Sequence, residues 1–268
     1  MSKRQDRNQE KGDQPKEVND ILYEQMSTSI QEYKRSNLRL LVSSLSAGLE
    51  IGFSIFLMGT LYTLFNGKVS DEVAHLLVSL AYPLGFIFVI IGRSELFTEH
   101  TTLSILPVLN GKVSVKKLLI LWGIILLGNL IGGYIIGAIL VYFAPAMGII
   151  SSNAFTHLAQ KLIEVPTELI LVSAIIAGWL MGLLSWLLAS SKETISRVLM
   201  IIIVTSTIGL GGLHHSIVGS IELFAGLLVD PSISLMDYLT VEGISIVGNA
   251  IGGVFFVGIL KYGQRRPH

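Results

Sequence analysis

Long apolar segments dominate the pattern of hydrophobic and polar positions along this chain. Six of them are long enough to cross, as helices, the roughly 30 Å hydrocarbon core of a lipid bilayer. They lie at about 40–65, 74–92, 115–143, 168–189, 197–229 and 236–261. The pattern predicts an all-α membrane protein with a six-span domain over residues 39–264. A polar tail over 1–38 and a short end over 265–268 flank this domain.

Two of the six segments are interrupted. The polar run RSELFTEH at 93–100 follows the second segment, and the glycine-rich run GLGGLHH at 209–215 divides the fifth. Irregular backbone at membrane depth occurs where protein or a water-filled cavity covers it. We therefore expect the second and fifth helices to be broken inside the membrane.

The N-terminal tail is polar and has no apolar core of the kind found in signal peptides. From Glu17 to Lys34, apolar residues recur at helical spacing. Two interpretations are open for this segment. It is either a solvated tail with a weak helix, or an amphipathic helix that lies on the cytoplasmic membrane face or packs under the protein.

The distribution of lysine and arginine predicts an orientation in the membrane. Of the 19 such residues, sixteen lie in the two tails and in the loops near 112 and 192. Only Lys68 and Lys161 lie on the opposite side, and Arg93 falls between. Because short cytoplasmic loops carry an excess of positive charge, we expect both termini in the cytoplasm.

A repeated motif divides the domain into two halves. GNLIGG at 128–133 in the third segment matches GNAIGG at 248–253 in the sixth, and each half also carries a pair of glycines in its first segment. Three spans per half place the halves in opposite orientations, which makes them inverted repeats. Such folds place the substrate path between broken helices, and small residues allow close helix packing.

Composition and charge exclude several functional classes. The chain is 51% hydrophobic and 14% charged with a mean hydropathy of +0.66, which excludes an ordinary soluble enzyme. A net charge of zero gives no basic field for nucleic acid, and the absence of cysteine excludes thiolate chemistry. Nucleophile, Walker and dinucleotide motifs are missing as well. We therefore expect no enzyme activity, no cofactor and no bound metal.

Ionisable side chains within the spans are the candidates for function, because such groups are costly in a membrane. They are Glu50, Arg93, Glu95, Glu99, His100, His214, His215, Glu222 and Glu242. Arg93 is expected to pair with Glu50, Glu95 or Glu99 as a structural or gating charge, and Glu222 to cap or pair near a helix end. His214 and His215 follow the glycines of the fifth segment, and imidazole titrates near neutral pH.

Several short motifs, in this order and spacing, resemble the formate/nitrite transporter family over residues 40–262. They are Glu95-Leu96-Phe97-Thr98, the Gly-Asn pairs at 128–129 and 248–249, and Gly212-Leu213-His214-His215. The resemblance implies an aquaporin-like six-helix protomer, assembled as a pentamer with one pore in each protomer. It also implies a bacterial inner membrane location and transport of small monovalent weak-acid anions such as formate or nitrite.

The same resemblance assigns a substrate pathway by position. His215 matches the central pore histidine, and Thr98 matches the threonine of the loop that breaks the second helix. The other pathway positions are Leu96, Phe97, Tyr82, Phe86, Ile208, His214, Asn129, Asn249 and Lys112. The chain departs from the family pattern at His214, where glutamate is usual, and at Gly219, where asparagine is common.

Desolvation makes the passage of a bare anion through an apolar constriction costly. A weak-acid anion avoids this cost if it takes up a proton and crosses as the neutral acid. His215 either donates that proton or, as a neutral ring, only hydrogen-bonds the anion, and the sequence favours neither. Two other functions are open: a neutral-solute pore of the aquaporin type, although no proline follows Asn129 or Asn249, and a membrane sensor or scaffold without transport.

Overall fold

The computed structural model describes residues 16–264, and these residues form helices joined by short loops. The helices are, in chain order, α1 (Val18–Glu32), α2 (Asn37–Phe65), α3 (Asp71–Ala81), α4 (Pro83–Gly92), α5 (Phe97–Leu103), α6 (Ile105–Leu109), α7 (Val115–Ala146), α8 (Ser152–Ile163), α9 (Thr167–Ser190), α10 (Thr194–Leu210), α11 (Ser216–Val229) and α12 (Leu235–Phe255). A π-helical turn over Phe256–Lys261 continues α12. The first fifteen residues and the short end over 265–268 lie outside the described part of the chain.

Five helical segments are long and apolar enough, by length and composition, to cross a membrane. They are α2, the pair α3–α4 over Asp71–Gly92, α7, α9, and Leu235–Gly258. The fifth predicted span is divided into α10 and α11, which have 17 and 14 residues. The second span breaks after Gly92 and resumes in α5. The structure thus confirms six spans with broken second and fifth helices.

The two halves repeat the same helix crossing. α2 packs along α7 in the first half, and α9 packs along α12 in the second. A Cβ atom added to Gly48 would lie well under 3.0 Å from the carbonyl oxygen of Asn129, and one added to Gly178 would meet Asn249 in the same way. Only glycine permits this approach of two backbones, so the paired motifs mark equivalent crossings of an inverted repeat.

Helix α1 packs against the six-span domain instead of continuing into it. Ile21 and Leu22 are buried on one of its faces, whereas Tyr23 on another face is 76% exposed. The Gln25 amide donates to the carbonyl oxygen of Ser185 at 3.1 Å. Just beyond the helix, the Tyr33 hydroxyl donates to the carbonyl oxygen of Ser104 at 2.7 Å. The N-terminal segment is therefore tied to both halves of the domain.

Candidate functional site

The break in the second span is held in place by a single asparagine. The side-chain amide of Asn129 donates to the carbonyl oxygens of Ser44 and Glu95, both at 2.8 Å. Its oxygen accepts the backbone N–H of Phe97 at 2.8 Å, at the start of α5. Because backbone groups at a helix break have lost their helical partners, these three bonds replace what the helix would have supplied.

Asn249 holds the break in the fifth span in the same way. Its amide donates to the carbonyl oxygens of Ala174 at 2.8 Å and His214 at 2.9 Å. Its oxygen accepts the backbone N–H of Ser216 at 2.8 Å, at the start of α11. Both asparagines are fully buried, and their polar atoms are occupied by backbone. The structure therefore gives these two predicted pathway residues the role of backbone clamps.

The two breaks meet at His215. Its Nε2 lies 2.8 Å from the hydroxyl oxygen of Thr98, which α5 positions. Its Nδ1 accepts the backbone N–H of Val218 at 3.4 Å, so the ring caps the N-terminus of α11. A ring whose Nδ1 accepts must carry its proton on Nε2, where it donates to Thr98. The arrangement fits a neutral imidazole whose tautomer its neighbours determine.

Bulky side chains surround this histidine. The ring of Phe86 meets the edge of His215 at 5.1 Å between centroids, and Tyr82 stacks on Phe86 at 5.5 Å. Ile208 is fully buried on the facing helix α10. Leu96 and Phe97, also buried, adjoin Thr98 at the Asn129 clamp. The residues predicted to form constrictions are thus grouped around the predicted central histidine.

A cavity of about 70 Å³ opens on one side of His215. Tyr82, Ile208 and His215 line it together with polar residues that the sequence had not placed there. These are Ser79 and the ionisable residues His75, Lys161 and Glu222. The cavity lies on the side of the membrane reached by the loops around Lys68 and Lys161, opposite to that of α1. We call this cavity the vestibule.

The mouth of the vestibule carries an anchored ammonium group. The Lys161 Nζ donates to His75 Nδ1 at 3.3 Å, and His75 Nε2 lies 3.1 Å from the carbonyl oxygen of Leu210. Partial burial lowers the pKa of Lys161, and the nearby Glu222 carboxylate opposes that shift. An isolated lysine on the side of the membrane that is poor in positive charge was the sequence signal that could have identified this group.

On the opposite side of His215, the first break carries a network of ion pairs. The Glu95 carboxylate contacts both Arg35 and His100. Arg35 also pairs with Glu32 at 2.7 Å. The His100 ring continues the network to the hydroxyl of Ser104 at 3.1 Å. The network joins the segment after α1 to the loop that precedes α5 and Thr98.

The expected pairing of Arg93 is not what the structure shows. Within residues 16–264, no carboxylate lies within 4.0 Å of Arg93, and its φ of 62° makes it the left-handed residue that ends α4. Arg35, which is distant in sequence, takes the partner expected for it. Glu50 instead accepts hydrogen bonds from Ser46 at 2.9 Å and Ser94 at 3.0 Å.

Two further predicted pathway residues lie away from the vestibule. The His214 ring meets the hydroxyl of Ser173 at 3.0 Å and the carbonyl oxygen of Leu162 at 3.1 Å, so it braces α9 and α8 against the break. Lys112 is exposed, and its Nζ lies 3.7 Å from the sulfur of Met26 on α1. Adjacent residues in an extended segment point in opposite directions, which separates His214 from His215.

Comparison with known proteins gives a consistent result. The family described as formate/nitrite transporter matches residues 19–263. The inner membrane protein YfdC of Escherichia coli (strain K12) is 30% identical over 239 residues, which cover 88% of this chain and 75% of that protein. The nitrite transporter NirC of Salmonella typhimurium is 26% identical over 227 residues, covering 81% of this chain and 80% of its own.

Solved structures share the fold. An FNT family ion channel superimposes with a TM-score of 0.80 at 20% identity, covering 92% of this chain and 100% of that one. A pentameric formate channel with formate bound gives 0.72 at 22% identity, covering 84% of this chain and 96% of that one. With the family match extending over nearly all of the described residues, the chain belongs to the formate/nitrite transporter family.

Proposed function

We propose that this protein is a membrane channel or transporter for small monovalent anions of weak acids, the class that includes formate and nitrite. The observation that carries the proposal is the placement of His215. Its imidazole forms the inner end of a vestibule that has an ammonium group at its mouth. Relatives named as a nitrite transporter and a formate channel support the substrate class.

The physical basis is a balance between attraction and desolvation. Lys161 attracts an anion from solution into the vestibule, where His215 and Thr98 are the polar groups of the inner end. Beyond them, buried Phe86, Leu96 and Phe97 surround the path, and a bare charge would lose its hydration there at high cost. A weak acid that has taken up a proton avoids most of that cost.

Of the two roles open for His215, we propose the neutral hydrogen-bonding one. Its Nδ1 accepts the backbone N–H of Val218. An imidazolium ring would carry a proton on Nδ1, so two donors would then face each other. Its Nε2–H is directed at Thr98, which leaves the threonine O–H free to donate to a passing anion. In this mechanism the proton that neutralises the anion comes from solution.

We further propose a pentamer in the inner membrane with both termini in the cytoplasm. The relative YfdC is named as an inner membrane protein, and a solved neighbour is a pentameric channel. Native mass spectrometry should give five copies, and a stable monomer or trimer would contradict the proposal. The natural chain has no cysteine, so a cysteine placed at Ser114 should react only with reagents that reach the cytoplasm.

Flux into liposomes tests the transport function. Purified protein should conduct formate, nitrite, hydrosulfide or lactate faster than uncharged solutes such as glycerol. Preferred glycerol flux would indicate a neutral-solute pore, and an intact oligomer that conducts nothing would indicate a sensor or scaffold.

Variants of the central histidine test the mechanism. His215→Phe should abolish flux while the oligomer stays intact. His215→Asn keeps a hydrogen-bonding group but cannot titrate, so it should retain flux if the ring acts only as a hydrogen-bond partner. Loss of flux in both variants would favour proton donation by His215. His157→Asn, on α8 but outside the residues that line the vestibule, is the matched control and should behave as the natural protein.

A further inference from the structure

We propose that Glu222 is a proton-binding site that admits anions to the vestibule only together with a proton. The inference rests on the proposed anion transport and adds a determinant of pH dependence on the side of the membrane opposite to α1. From the sequence, Glu222 was expected to cap or pair near a helix end, and the proposed proton binding is a different role.

The position of Glu222 singles it out among the carboxylates. It lies two turns into α11, is 6% exposed, and lines the same cavity as His215 and Lys161. Within residues 16–264, its carboxylate has no hydrogen-bond partner and no cation within 4.0 Å. By contrast, the Glu95 carboxylate is held by Arg35 and His100. A buried carboxylate directed into a cavity without a direct partner is available to bind a proton.

The charge of the vestibule depends on this group. Lys161 is the one lysine or arginine among the described residues that line the cavity. When Glu222 is ionised, its negative charge offsets that of Lys161, and an entering anion meets no net attraction in a confined, poorly hydrated space. When Glu222 is protonated, the Lys161 charge is uncompensated and the anion becomes its counter-ion.

The exchange balances in atoms and charge. One proton from the solution outside adds to a carboxylate oxygen of Glu222, which becomes a neutral carboxylic acid. One anion then enters, so the total charge of the vestibule does not change. Proton binding strengthens anion binding, and by linkage the anion must strengthen proton binding by the same factor.

The other ionisable groups around α11 leave Glu222 as the main switch. Tyr62 on α2, Tyr82 at the end of α3 and Tyr134 on α7 are phenols, which remain neutral near pH 7. On α12, Tyr238 and Glu242 lie towards Tyr134, outside the residues that line the vestibule. On α8, His157 stacks on Tyr62 and does not line the cavity. His75 does line the cavity and has an ionisable ring, so it needs its own test.

Flux at varied outside pH and constant inside pH tests the proposal. Natural protein should conduct formate at least about tenfold faster at about pH 5 than at about pH 8 outside, a linkage of ordinary size. Glu222→Gln resembles the protonated carboxyl, so it should conduct faster than the natural protein at about pH 8, and its rate should rise clearly less as the outside pH falls. Glu222→Asp should keep the pH dependence. The control Glu164→Gln removes a charge at the end of α8, outside the vestibule, and should behave as the natural protein.

A second measurement does not depend on transport. Formate added to natural protein in weakly buffered detergent solution should cause uptake of about one proton for each bound anion, as followed by a pH indicator. Glu222→Gln should bind formate without that uptake, and His75→Asn should retain it. Anion binding by the natural protein without proton uptake would overturn the proposal even if Glu222→Gln failed to fold.

The outcomes separate the two proposals. A natural protein that conducts no anion would overturn the proposed function and this inference with it. A natural protein that conducts anions, with a Glu222→Gln variant of the same pH profile, would overturn only the role of Glu222. A flattened pH profile in His75→Asn, with the profile of Glu222→Gln unchanged, would assign the switch to His75 instead.

Discussion

The two broken helices of this protein share one backbone design and carry different chemistry. At each break an asparagine from the following span makes three hydrogen bonds to backbone groups, with nearly identical distances in the two halves. Around the first break, Glu95 is paired with Arg35 and His100. Around the second break, Glu222 lines a cavity beside His215, and no residue between 16 and 264 pairs with it.

The difference shows which features an inverted repeat must preserve. Backbone N–H and C=O groups that a helix break frees need hydrogen-bond partners whichever way the half faces in the membrane. The asparagines and the glycines at the helix crossings therefore occur in both halves. Ionisable side chains do not share that constraint. One half can therefore use them to secure the N-terminal segment, and the other to form an entrance for anions.

The largest expected effect comes from filling a helix crossing. Gly48→Leu and Gly178→Leu should each abolish assembly, because their new side chains would collide with the backbone of Asn129 or Asn249. The cost should be at least about 3 kcal/mol. Size-exclusion chromatography of the purified protein measures it. Gly123→Ala, where a Cβ meets nothing within 4 Å, is the control and should assemble normally.

Removing a clamp should have the next largest effect. Asn129→Leu and Asn249→Leu each leave buried backbone groups without partners, which should cost roughly 2–5 kcal/mol. Both variants should lower the thermal unfolding midpoint by similar amounts, because both lose three bonds. Asn153→Leu on the exposed side of α8 controls for the substitution itself. A large difference between the two clamp variants would show that the halves are not equivalent in energy.

The network at the first break offers a variant specific to one half. Glu95→Gln removes the charge that holds Arg35, so α1 should separate more readily from the domain. Hydrogen exchange over Val18–Glu32 should rise about tenfold, which corresponds to about 1.4 kcal/mol of lost protection. Glu24→Gln, which breaks only the exposed pair with Lys16, should leave exchange in the rest of α1 unchanged. Equal exchange in the two variants would contradict the proposed docking.

The smallest effect concerns the residues with left-handed backbone at the two breaks. Arg93 has φ 62° and Gly212 has φ 57°. A residue with a Cβ costs about 1 kcal/mol in this region. Arg93→Gly should therefore leave the unfolding midpoint equal or slightly higher, and Gly212→Ala should lower it by a few degrees. A lower midpoint for Arg93→Gly would show that the Arg93 side chain makes a stabilising contact that outweighs its backbone strain.

Much of the architecture was predictable because it depends on local and periodic features. Hydropathy predicted the six spans, since each span must by itself cover the hydrocarbon core with apolar side chains. The polar run after Gly92 and the glycines before His214 predicted the two breaks. The repeated Gly-Asn motif predicted the equivalent crossings, and together with the residues around Thr98 and His215 it indicated the family that the comparison then confirmed.

The partners of the ionisable groups were decided only by the tertiary structure. The sequence left Glu50, Glu95 and Glu99 open as partners of Arg93, but the fold pairs Glu95 with Arg35, sixty positions away. The fold likewise places the His214 ring beside the hydroxyl of Ser173 and brings Lys161 and Glu222 to one cavity. The spacing of residues along a helix specifies which of them lie on the same face of that helix. Which distant charge meets that face depends on how the helices pack, and that information is not local in the sequence.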